Sequence, residues 1–152
     1  MKPFHYTACG LDNVFIHGLD VVCDDAGIDT FHIPRINQLH RVIAEGIVSH
    51  EFAMDGSELR FLRTEMGYTQ AQLAEIMQVK PLTIGRWERD NNIGAVEEAF
   101  IRKLAIETLK LPVDATIEQL STRSKSVSSV GTQNIDVAAN DNSYHLTQKH
   151  AA

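Results

Sequence analysis

The sequence predicts an α+β protein in three parts. These are a small N-terminal β-rich domain with one helix (1–55), a four- to five-helix domain (56–120) and a disordered tail (121–152). Three observations predict it. Short β-prone segments alternate with turn residues up to position 33. Apolar residues then recur at spacings of three and four, the period of a helix face, as far as Leu109. From Ser121 onward Ser, Asn and Gln dominate and no period survives.

The expected strands are 6–9, 14–16, 21–23 and 30–33. Residues 10–13, Gly18 and the run Asp24-Asp25-Ala26-Gly27 divide them. Pro34 suits a first helical turn, and Ile36, Leu39, Ile43 and Ile47 form the apolar stripe of the helix it opens. Asp55-Gly56 reads as a turn. Ser57 is the expected N-cap of the next helix, which buries Leu59, Leu62 and Met66 and stops at Gly67. Thr69 is the expected N-cap of a short helix burying Leu73, Ile76 and Met77. Pro81 opens a third, which buries Leu82 or Ile84, and Trp87. A longer helix over about 95–109 buries Val96, Phe100, Ile101, Leu104 and Leu109, and Pro112 ends it. Asp114 is a candidate cap for one or two further turns through Leu120.

No apolar run approaches the ~20 residues a membrane-spanning helix needs. The opening MKPFHYTACG lacks the apolar stretch of a secretory signal, so a cytoplasmic protein is expected. Two cysteines are too few for a disulfide scaffold and are expected to stay reduced. The net charge of −6 argues against nonspecific coating of nucleic acid. The charge is uneven. Residues 1–55 hold three Lys/Arg against eight Asp/Glu, 56–110 hold eight of each, and 111–152 hold three against four. The acid sits at the N-terminal end, and that asymmetry points to two jobs.

Residues 59–90, LRFLRTEMGYTQAQLAEIMQVKPLTIGRWERD, read as two short helices joined by a tight turn and followed by a third. Ala71, Leu73, Ala74 and Ile76 give the second helix a small apolar inner side. Val79 plugs the turn. Ile84 and Trp87 anchor the last helix, leaving Lys80, Leu82, Thr83, Gly85, Arg86 and Arg89 to flank and solvent. A helix held this way can enter a DNA major groove with its N-terminal residues against the base edges.

The segment resembles the XRE, or lambda-repressor-like, helix-turn-helix family. The matching residues are Leu59, Leu62-Arg63, Gly67, Thr69-Gln70, Leu73-Ala74, Val79, Thr83-Ile84 and Arg86-Trp87-Glu88. The resemblance covers residues 56–110 and implies a lambda-repressor-like fold that binds operator DNA as a dimer. By position it implies that Thr69 and Gln70 stand at a phosphate and that Lys80, Leu82 and Arg86 face the groove. Thr83 and Arg89 would lie at its flank, and Arg63 would pair with Glu88 inside the fold. Two departures stand out: Gln78 replaces the usual glycine before Val79, and Pro81 and Gly85 stand where polar base-readers often stand. Arg86 is the best remaining reader, because a guanidinium can bond guanine bidentately.

In the N-terminal part, Tyr6-Thr7-Ala8-Cys9-Gly10 and Cys23-Asp24-Asp25-Ala26-Gly27 read as two CxxCG knuckles that have each lost a thiol. Tetrahedral zinc needs four ligands, so Cys9 and Cys23 alone predict no metal site. Recruitment of His5, His17 or His32 is the rescue reading, and two small thiols packed without metal is the plain one. The order of parts resembles MqsA-type antitoxins, a zinc-binding β-domain fused to an XRE-type domain. Asp24-Asp25 with His17 and His32 suggests a small metal-dependent enzyme, but the spacing fits no hydrolase cluster.

Together these readings predict a dimeric transcription regulator on a palindromic double-stranded operator, with no enzymatic activity, cofactor or membrane partner. The resemblance implies an antitoxin-like autorepressor; its acidic N-terminal domain is expected to bind a protein partner, a basic toxin protein by charge complementarity, or the sister subunit. The alternative is a plain phage-type repressor.

Overall fold

The computed structural model describes residues 2–124 and 133–147. The chain is α+β and divides into two compact units, Met1–Ile43 with Asn134–Ala152, and Ala44–Gln133.

The first unit holds a four-stranded sheet of β1 (Phe4–His5), β2 (Val14–His17), β5 (Ile135–Ala139) and β6 (Tyr144–Leu146), in the order β1-β2-β5-β6. β2 and β5 run parallel, with Val14 opposite Ile135 and Ile16 opposite Val137; the other pairs are antiparallel. Alternation sets the buried face. Val14, Ile16, Ile135, Val137 and Tyr144 are buried. Gly18 ends β2 at φ +86, and a Cβ there would come within 2.7 Å of the Ala139 carbonyl oxygen. Only glycine meets both demands.

Two expectations are corrected here. Residues 135–139 and 144–146 are strands, not disordered tail, because Ile135 and Val137 fill the space against β2 and His17 Nε2 meets Asp136 Oδ1 at 2.9 Å. The turn between β5 and β6 is held by Asn140, whose Oδ1 accepts from the N–H groups of Asn142 and Ser143. Residues 125–132 and 148–152 of the expected tail lie outside the described residues. The first strand is Phe4–His5 rather than 6–9, because residues 7–10 close a turn in which Gly10 N–H donates to Thr7 O.

A separate hairpin joins β3 (Val21–Cys23) to β4 (Asp29–Phe31). Helix α1 (Ile36–Ser49) follows, with Leu39, Ile43 and Ile47 fully buried as the stripe predicts and Ile36 exposed. Tyr144 Oη donates to Pro34 O at 2.6 Å, and Arg35 sits 5.5 Å from the Tyr144 ring centroid. Burial pushes the Tyr144 phenol above its ordinary pKa, and the Arg35 charge pulls the other way.

The second unit carries α2 (Gly56–Glu65), α3 (Gln70–Met77), α4 (Pro81–Asp90), α5 (Ala95–Leu109) and α6 (Ile117–Ser124). Leu59, Leu62, Leu73, Ile84, Ile101, Ala105 and Leu120 form its apolar core. The cap of α2 is Asp55, not Ser57: Asp55 Oδ1 accepts from Glu58 N–H while Glu58 Oε1 accepts from Asp55 N–H, a reciprocal box. Thr116, not Asp114, caps α6 in the same way with Gln119. Ile76, Val96 and Phe100 are exposed rather than buried. In α3, Leu73 and Ala74 fill the inner side. In α5, Ala99, Ile101, Arg102, Ala105 and Ile106 face inward, so Val96 and Phe100 lie on the opposite face.

Arg102 is inward because it belongs to a buried polar cluster. Its Nη1 donates to His50 O at 3.0 Å, and its Nη2 donates to Phe52 O at 2.7 Å and Glu98 Oε1 at 3.0 Å. Met54 N–H also donates to Glu98 Oε1, at 2.6 Å. His50 Nδ1 accepts from Phe52 N–H, so in the neutral ring Nε2 carries the proton and donates to Glu58 at 3.0 Å. These bonds fix the irregular stretch 50–55 on α5 and satisfy groups that would be costly to bury alone.

Candidate nucleic-acid interface

The site is built from α2, α3 and α4 of the second unit. Thr69 caps α3 as expected: its Oγ1 accepts from Gln72 N–H at 3.1 Å, and Thr69 N–H donates to Gln72 Oε1 at 2.9 Å. The cap leaves the Thr69 hydroxyl hydrogen to donate outward. At the other end of α3, Gln78 takes the left-handed conformation, φ 60 and ψ 41, that glycine adopts most readily. Val79 N–H then reaches back to Ala74 O at 2.9 Å, which closes the helix end and makes the tight turn.

Lys80 stands at the N-cap of the next helix, and Pro81 begins α4 with a backbone angle already suited to a helix. Two side chains, Arg63 and Gln70, lock α4 in place through Glu88. Arg63 Nε donates to Glu88 Oε2 at 2.6 Å, its Nη2 donates to Glu88 Oε1 at 3.2 Å, and its Nη1 donates to Tyr68 O at 2.9 Å. Gln70 Nε2 donates to the same Glu88 oxygen at 3.1 Å. One carboxylate on α4 is thus clamped from α2 and from the start of α3. A Cβ on Gly85 would lie 3.6 Å from the Gln70 amide, an ordinary van der Waals contact, so the two helices meet closely here.

Sequence reasoning missed a second lock. Gly56 sits so close to the Glu88 carbonyl that a Cβ would collide with it, and Gly56 N–H donates to Asn91 Oδ1 at 2.5 Å. The signal was the Asp55-Gly56 pair, which reads as a turn but is a helix start pressed on the end of α4.

With Ile84 and Glu88 turned inward, Leu82, Arg86 and Arg89 fall at spacings of four and three on one outward stripe of α4. Leu82 is 58% exposed, and Lys80, Arg86 and Arg89 are exposed. Thr83 and Gln70 are half-buried beside the stripe. Among the described residues Lys80, Arg86 and Arg89 have no carboxylate partner, whereas Glu88 is paired with Arg63. The face is therefore locally cationic although the chain is acidic. Phosphate attraction depends on that local balance and not on the sum.

The metal candidates are not brought together. Cys9 is half-buried with its Sγ donating to Tyr6 O, and Cys23 is exposed on β3. His5 bonds Asp12 O and stacks on Phe15, and His17 bonds Asp136. Asp24 holds the hairpin turn through the N–H groups of Ala26 and Ile28. Among the described residues no three His, Cys, Asp or Glu side chains are placed to share a metal ion, and no helix is long and apolar enough to cross a membrane.

Two capped helices, a tight turn and a clamped third helix with a cationic outward stripe define a helix-turn-helix module. Residues 59–108 match the family model described as helix-turn-helix, a third of the chain, and the match supports a DNA-binding transcription regulator. No curated protein and no solved structure matches the chain.

Proposed function

We propose that the protein is a sequence-specific regulator that binds a palindromic operator as a dimer and reads it with α4. The observation that carries this is the outward stripe Leu82-Arg86-Arg89 on a helix clamped from behind through Glu88. Arg86 is the base reader, forking onto a guanine edge, and Leu82 packs on a thymine methyl. Lys80, Thr83 and Arg89 meet the phosphates on either side. Gln70 keeps one of its two amide hydrogens for a phosphate after bonding Glu88, and the Thr69 hydroxyl stands beside it.

Within that reading the protein is an antitoxin-like autorepressor, whose first 55 residues take a basic partner protein. The separation of charge supports this: the net charge is −5 over 1–55 and zero over 56–110. A surface that repels phosphate suits a cationic protein. Selection of bound sites from randomised duplex DNA tests the operator reading. The expected outcome is an inverted repeat with half-sites one helical turn, about 34–36 Å, or a multiple of it apart. Enrichment of no sequence, or of a single unrepeated half-site, overturns it.

A further inference from the structure

The β3–β4 hairpin is unlike the rest of the first unit. All three residues of β3 are exposed, and Val21, Val22 and Ile28 are 42%, 52% and 60% exposed. Val21 and Val22 point to opposite faces, so the hairpin shows apolar side chains on both. Among the described residues β3 pairs only with β4 and β4 only with β3. A lone two-stranded ribbon with both faces wet gains little from burial.

The free edge can be located. Asp24 N–H donates to Ile28 O at 2.9 Å, and Val22 lies opposite Thr30. Hydrogen-bonded pairs alternate along an antiparallel ladder, so 24/28 and 22/30 are the bonded pairs. The backbone N–H and C=O of Val21 and Cys23 therefore point away from β4. β4 is the less open edge, because the Phe31 ring packs against Phe4, tilted by 41° with 4.7 Å between ring centroids. Exposed edges are usually blunted by lysine, proline or a bulge, and β3, Val-Val-Cys, has none of these.

Charge names the occupant. Residues 20–29 contain Asp20, Asp24, Asp25 and Asp29 and no Lys or Arg. Four carboxylates per hairpin repel a second copy and attract a cationic chain. We propose that β3 is a docking edge that accepts an extended strand of a basic protein. Main-chain bonds to Val21 and Cys23 supply affinity, apolar contacts to Val21 and Val22 add to it, and Asp25 and Asp29 select for lysine or arginine. This rests on the partner-binding reading of the N-terminal part.

The test uses the full chain and a labelled synthetic strand of alternating lysine and valine. Two controls accompany it: the glutamate–valine counterpart, and the lysine–valine strand with alternate backbone amides N-methylated. Fluorescence anisotropy reads binding, and amide hydrogen exchange reads Val21 and Cys23. The lysine–valine strand is expected to bind, to slow exchange at those two amides, and to weaken about tenfold or more on N-methylation. The glutamate strand is expected not to bind. Val21→Pro removes an outward N–H and no hairpin bond, so it is expected to reproduce the N-methyl loss. Asp25→Lys with Asp29→Lys is expected to weaken binding and flatten its salt dependence. No binding of the lysine strand, or equal binding of its N-methylated form to the unaltered chain, overturns the docking edge even if Val21→Pro fails to fold. DNA binding of the same samples is scored separately. Its loss refutes the regulator and leaves the edge standing, and the reverse result refutes the edge alone.

Discussion

The two units are assembled by opposite means. The helix-turn-helix is built from near neighbours: Thr69 caps through Gln72, Val79 closes on Ala74, and Gln70 and Arg63 reach Glu88 over 18 and 25 positions. The N-terminal sheet is built from distant parts of the chain. Its central pair joins residues 14–17 to 135–138, and His17 meets Asp136 across 119 positions. Local contacts cost little loop closure, and distant pairs must offset more. The DNA-reading part should therefore be robust and self-contained, and the sheet conditional on the far end of the chain.

The largest effect follows from that contrast. Deleting residues 133–152 removes two of the four strands and exposes Val14 and Ile16. The expected result is loss of ordered amide signals from residues 4–17, with the signals of α2 to α5 and DNA binding retained. Loss of both units together would erase the distinction.

Next comes the clamp. Glu88→Ala leaves the Arg63 guanidinium, 13% exposed, without its carboxylate and frees the Gln70 amide. Breaking such a pair from one side should cost about 3 kcal/mol, read by urea unfolding. The double change Arg63→Met with Glu88→Leu should recover much of it, since a well-packed apolar pair tolerates burial better than a lone charge.

A pH effect should appear in the buried cluster. Burial holds the Glu98 carboxyl above its usual 4.5, and Arg102 and the Met54 N–H offset this only in part. The folded chain thus binds that proton more tightly than the unfolded chain. Its contribution is present in full below pH 4.5 and is lost as pH rises through the raised value. Glu98→Gln removes the slope, so the stability of the variant minus that of the parent should climb with pH over this window. A flat difference in paired unfolding series would contradict the assignment.

The smallest effect is at Gln78. A non-glycine residue at φ 60 is strained, so Gln78→Gly should stabilise the second unit by about 0.5–1 kcal/mol by thermal unfolding. The lost bond from Gln78 Nε2 to Glu75 O works against the gain and keeps it small.

Legibility in the sequence followed the same division. Thr69, Gly67, Pro81 and the Leu73-Ala74 pair were readable because capping, turn chemistry and short spacings are local, whereas the Arg63–Glu88 contact, 25 positions apart, was implied only by the helix-turn-helix resemblance. Val96 and Phe100 misled because helix period alone does not say which stripe faces the core. Ala99 and Arg102 took the inner positions, Arg102 because backbone carbonyls and Glu98 awaited it there. The strand alternation of Ile135, Val137, Tyr144 and Leu146 was present, but three to five residues amid Ser and Asn carry too little period to register without their partner β2. In the site, Leu82, Arg86 and Arg89 were readable as an outward set. Gly56 was not, because its reason is a backbone on another helix.

The most direct measurement is the affinity of Arg86→Ala for the selected operator and for a panel of single-base changes. A loss of about 1–3 kcal/mol is expected, with base preference relaxed at one position of each half-site. Unchanged affinity together with unchanged preference would show that α4 does not read the DNA.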